Sequence, residues 1–128
     1  MSYYKSKIVE ENFEEAIESV TAALKEEGFG ILTEIKVNEV FKKKLDLDFK
    51  KYRILGACNP NFAHQAIEKE DKIGVMLPCN VIVEEHEDGS VEVTAVDPVA
   101  SMQAVQNDSL GGIAQEVKQR LEKAIDAL

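Results

Sequence analysis

The sequence predicts one α+β domain over residues 1–128, and three observations predict it. Stretches with helical apolar periodicity are interleaved with short apolar or alternating stretches. Neither an internal repeat nor a linker divides the chain. A length of 128 residues with 45% hydrophobic content suffices for one packed core without disulfides or a metal.

The elements follow in order. Residues 3–9 read as a first strand. Asn12 then opens a helix, since Asn suits an N-cap and Glu15 three residues on completes a capping-box pattern. Phe13, Ile17, Val20 and Leu24 continue as one apolar stripe, and Gly28 can end the helix in the left-handed conformation. Residues 29–37 are expected to be a strand with Phe29, Ile31, Thr33, Ile35 and Val37 on one side. Asn38 is expected to cap a short helix carrying Val40, Phe41 and Leu45. Residues 52–58 are apolar enough for a strand buried on both faces.

Asn59-Pro60 suits a helix start, with Phe62, Ala63, Ala66 and Ile67 on the buried side. Residues 73–77 read as another apolar strand, which Pro78 must bend or bulge before it resumes at Val81-Ile82-Val83. Asp88-Gly89 is the best hairpin turn. A two-residue turn sets His86 opposite Val91. A three-residue turn with Gly89 left-handed sets Val83 against Val93 and Val81 against Ala95, and is preferred because it matches apolar with apolar. Either register sets one Glu against another. Asp97-Pro98 begins a short helical segment through Met102 and Val105, and residues 107–112 form a loop. The last helix carries Leu110, Ile113, Val117, Leu121, Ile125 and Leu128.

Charge narrows the function classes. The net charge of −9 argues against nucleic acid and against an anionic membrane, both of which are held by Lys and Arg. The first residues lack the apolar core of a secretory signal, and no run approaches a membrane span, so the expected location is cytoplasmic with reduced thiols. One window departs from the acidic average. Residues 42–53 hold six cations against Asp46 and Asp48, giving +4 there and leaving −13 elsewhere. That segment is either a solvated lysine-rich face or a docking patch for an anion or a second subunit.

Three strings stand out together: Gly56-Ala57-Cys58-Asn59-Pro60, Leu77-Pro78-Cys79-Asn80 and Val96-Asp97-Pro98. With Glu27-Gly28-Phe29-Gly30 they resemble the prokaryotic family known as domain of unknown function 302, from about Tyr4 to the last helix. The resemblance implies a mainly antiparallel sheet backed by helices, with a layout similar to a TATA-binding-protein repeat. It also implies self-association as a homodimer. It supplies neither substrate nor catalytic residues.

The same strings hold the candidate site. Cys58 and Cys79 each follow an apolar strand and precede Asn. If the two strands are parallel neighbours joined by the helix from Pro60, both thiols lie toward one end of the sheet. A helix starting at Asn59 would favour a thiolate at Cys58, whereas free cysteine also packs as a small hydrophobe. Cys58, His64, Cys79 and His86 are spaced by 6, 15 and 7 residues, which matches no zinc motif, and His86 among acids looks solvated. Asp97 is a base, a ligand or simply a helix cap, and Asn59 and Asn80 carry the same ambiguity. Gly111-Gly112 before a helix could hold an anion or serve as a hinge.

No nucleophile elbow, phosphate loop, cofactor fingerprint or paired metal carboxylate is legible. The expected function is therefore a homodimeric module holding a small ligand at Cys58, Asn59, Cys79, Asn80 and Asp97. No catalytic residue, cofactor or metal is expected. The alternative is a thiol-active protein carrying sulfur, redox equivalents or a soft metal on Cys58 and Cys79.

Overall fold

The computed structural model describes residues 2–128. Five strands, β1 (Tyr4–Val9), β2 (Gly30–Lys36), β3 (Tyr52–Cys58), β4 (Cys79–Glu85) and β5 (Val91–Val96), form one sheet in the order β1-β5-β4-β3-β2. Every neighbouring pair is antiparallel. Two long helices, α1 (Phe13–Glu26) and α5 (Gly111–Asp126), cover one face. The core between them takes Phe13, Ile17, Val20 and Leu24 from α1 and Val117, Leu121 and Ile125 from α5, packed on Leu55, Val81, Val83 and Val93. The α+β class, the antiparallel sheet and the helical backing all match expectation.

Local chemistry accounts for the ends of α1. The Asn12 side chain accepts from Glu15 N at 2.9 Å while Glu15 Oε1 accepts from Asn12 N at 3.2 Å, a complete capping box. At the other end Gly28 has φ +88°. The Phe29 N–H donates to Leu24 O and the Gly28 N–H to Lys25 O, a Schellman closure sealed by the buried Phe29 and Leu24.

The hairpin register is the one preferred from sequence: Val83 faces Val93, Val81 faces Ala95, and Glu84 faces Glu92. Gly89 is left-handed, with φ +86°.

Several expectations are corrected. Residues 73–77 are not a strand: a 3-10 segment occupies Asp71–Met76, and β4 starts only after Pro78. This run buries Ile73 alone, so it has no face to offer a sheet. β3 and β4 are antiparallel rather than parallel. β2 does not keep its apolar residues on one side, because a register shift between Ile31 and Thr33 extrudes Leu32 and turns Thr33 and Ile35 outward. The short helix α2 (Val37–Leu45) starts one residue before Asn38, whose side chain instead accepts from the Tyr52 N–H at 3.4 Å. The 107–112 loop contains a second 3-10 segment, Asp108–Leu110.

The remaining helices are α3 (Pro60–Lys69) and α4 (Pro98–Ser101). With the two 3-10 segments they surround a second, small core of Ala66, Ile73 and Leu110, joined by Leu77, Met102 and Val105. No helix among the described residues is long and apolar enough to cross a membrane.

Candidate functional site

Between the large core and the small one lies a cavity of about 330 Å³. Phe29, Ala57, Cys79 and Val117 of the large core line one side, and Ala66, Leu77 and Met102 of the small cluster line the other. Small residues leave this space open. Ala57 on β3, Ala63 and Ala66 on α3 and Ala114 on α5 all line it, where Leu or Ile would close the gap between elements. The exposed Leu32, Ile67 and Gly74 also line it, on the solvent side. Among the described residues, no charged side chain is part of the lining.

Three of the five residues picked from sequence meet here: Cys58, Asn59 and Cys79. The strands do bring the thiols to one end of the sheet, but through an antiparallel register. Cys79 opens β4 opposite Ala57, one residue before Cys58 closes β3. Burial pushes the Cys58 thiol up. Cys79, more deeply buried and next to Cys58, is pushed up to about 11. With both raised above 9.0, the two sulfurs are neutral thiols at physiological pH.

Asn59 does not cap α3. Its Nδ2 donates to the Glu27 carbonyl at 3.5 Å, and Arg120 Nη1 donates to the same oxygen at 3.4 Å. The Arg120 guanidinium lies 5.2 Å from the Phe62 ring centroid, and its Nε bonds Glu116 at 3.2 Å. A β-carbon on Gly28 would stand 2.8 Å from Asn59 Nδ2, so Asn59 pins the α1–β2 corner against the mouth of α3.

The other two picks lie elsewhere. Asn80, next along β4, opens onto the opposite face of the sheet. Asp97 is a cap, accepting from Val99 N at 2.9 Å and Ala100 N at 3.2 Å, with Lys118 Nζ 3.1 Å away. Partial burial opposes its charge, but Lys118 and the two amides prevail and hold its carboxyl below the usual carboxylate range.

His64 is exposed on α3 beside Glu68, and among the described residues no cysteine–histidine cluster forms. His86 is not simply solvated, since its Nε2 lies 2.8 Å from Glu92 Oε1. Glu84, His86 and Glu92 bring their ligating atoms within 4.8 Å of one another.

Sequence reasoning missed most of the lining, including Phe29, Phe62, Leu77, Met102, Ile113 and Val117. The available signal was the run of alanines on inward positions of α3 and α5.

These features define a class: a small antiparallel α+β domain with a hydrocarbon-lined cavity at one end of its sheet. The family model described as Domain of unknown function DUF302 matches residues 5–128, and the chain belongs to that family. A crystal structure of an uncharacterized conserved DUF302 protein from Bacillus stearothermophilus is similar to it. The two are 28% identical with a TM-score of 0.91, over 98% of each chain. No curated protein matches. The family assignment expected from the loop strings is correct, and it carries no established activity.

Proposed function

We propose that the protein is a binding module that holds a small, uncharged, largely apolar molecule in the cavity between its two cores. One observation carries this reading: about 330 Å³, open to solvent on one side, is left unfilled against a lining that is almost wholly apolar. That is about twice the ~150 Å³ engineered cavity that stays dry and takes up benzene, and it reaches the ~300 Å³ lower end of ligand sites. Cys58 and Cys79 then act as packing surface, which disfavours the thiol-active alternative.

The test is native mass spectrometry beside a denatured control, together with uptake of the uncharged fluorophore N-phenyl-1-naphthylamine. Mass lost on denaturation, and dye uptake abolished by Ala114→Leu in a folded protein, are expected. An empty wild type whose dye response survives Ala114→Leu would overturn the reading.

The module is further proposed to pair with a second copy through α2 and the segment after it. α2 buries none of its residues within its own chain, and Val40, Leu45, Leu47 and Phe49 are 44–66% exposed. Sedimentation analysis is expected to give a dimer that Leu45→Glu converts to monomer. A wild-type monomer would remove this part while leaving the cavity unaffected.

A further inference from the structure

The chain has three tyrosines and no tryptophan, and all three tyrosines meet in one groove. The groove lies on the sheet face that α1 and α5 leave uncovered and measures about 470 Å³. Tyr3 and Tyr4 stand on one side with their rings 5.0 Å apart and nearly perpendicular. Tyr52 comes from β3, and Ile82, Thr94 and Val96 of the strands between them complete the surface.

Two carboxylates enter the same groove. Glu84 and Glu92 are directly opposite each other across β4 and β5, a like-charge pair that costs stability unless cations attend it. Among the described residues, the permanent cation in contact with this pair is Lys50. Its Nζ lies 2.7 Å from Glu84 Oε1 and 5.8 Å from the Tyr52 ring centroid. An ammonium therefore already sits between a carboxylate and an aromatic ring, the arrangement by which proteins recognise cations on carbon skeletons. The other carboxylate, Glu92, has His86 at 2.8 Å, takes a hydrogen bond from Ser6 and also feels the Lys50 charge. Two carboxylates in the groove thus share the single permanent charge of Lys50.

We propose that this groove binds a small organic cation of the alkylammonium class. Its charged head is received by Glu92, Glu84 and the tyrosine rings, in competition with Lys50. The site is separate from the cavity between the cores: the two share no lining residue, and the ligand chemistries are opposite.

The absence of tryptophan makes the test direct, because intrinsic fluorescence reports on Tyr3, Tyr4 and Tyr52 alone. The protein is titrated with choline and, separately, with 3,3-dimethyl-1-butanol, which has the same shape without the charge. A saturable change with choline and none with the neutral analogue is expected. Lys50→Met removes the competing ammonium and should tighten choline binding about 2- to 5-fold, while Glu92→Gln should weaken it by a similar factor. Thermal melting of each variant confirms that it is folded.

Equal response to the neutral analogue would overturn the proposal, as would unchanged or weaker choline binding in folded Lys50→Met. So would absence of saturation in wild type and Lys50→Met alike through the millimolar range. A response to zinc chloride but not choline would overturn it too, by assigning Glu84, His86 and Glu92 to a metal.

Discussion

The side chain of Thr33 occupies the space where a β-carbon on Gly56 would stand, and Pro78 Cγ closes that space from the other side at 2.8 Å. The contact exists because the bulge at Leu32 turns Thr33 onto β3 and because Pro78 bends the chain just before β4. Gly56 is thus where three separate segments come closest. Gly56→Ala is expected to cost about 1–3 kcal/mol by overpacking. Thr33→Gly in the same chain should recover part of the loss and leave the Pro78 share, measurable as a double-mutant cycle in urea. Full tolerance of Gly56→Ala would contradict this packing.

The α1–β2 corner makes a second prediction. Gly28 is left-handed and within 2.8 Å of Asn59 Nδ2 at its missing β-carbon. Gly28→Ala should cost about 1–2 kcal/mol for the backbone conformation, plus a steric part. Asn59→Ala should relieve the steric part only. The measurement is the coupling energy between the two, expected to be favourable and smaller than the single Gly28→Ala loss.

The thiols predict a pH dependence. Burial raises Cys79 from 9.0 to about 11. The sign follows from linkage: the native state binds this proton more tightly, so the stability it contributes is complete below pH 9 and is lost as pH rises toward 11. The loss amounts to about 2–3 kcal/mol. Cys79→Ala should remove that alkaline slope, whatever it costs at neutral pH. Ellman's reagent at neutral pH should modify Cys58 slowly and Cys79 only after unfolding. Rapid reaction of both in the folded state would restore the thiol-active alternative.

Asp97 gives the opposite sign. Its carboxyl is held below the usual range, so its contribution is present at neutral pH and is lost as pH falls through and below about 4. Asp97→Asn keeps the cap and loses the Lys118 pair, and should mainly flatten the acid slope. Asp97→Ala loses both and should cost about 1 kcal/mol more. Equal stability of the Asn and Ala variants would show that the cap contributes nothing.

Legibility in the sequence tracked how local each cause is. The α1 ends were readable because Asn12, Glu15 and Gly28 act within one helix. The hairpin was readable because only one register matches Val81 and Val83 with apolar partners. Residues 73–77 misled because four apolar residues in five resemble a strand, whereas their fate is set by what Ile73 alone can reach. The bulge at Leu32 has no signature in its own residue type. Of the site, the Cys-Asn strings pointed to one end of the sheet. The cavity was not visible, since alanine marks a void only once β3, α3 and α5 are brought together. The tyrosine groove was hidden for the same reason, because Tyr3 and Tyr52 are joined only through the sheet order.

The seam between the cores has a mechanical consequence. One body is knit by nineteen buried residues and the other by three. The smaller body should therefore open on its own while the sheet stays closed, giving amide protons in α3 and the 3-10 segment Asp71–Met76 the faster exchange. A molecule lodged on the seam touches both bodies, so it works as mortar: its departure would loosen α3 and leave the masonry of the sheet standing.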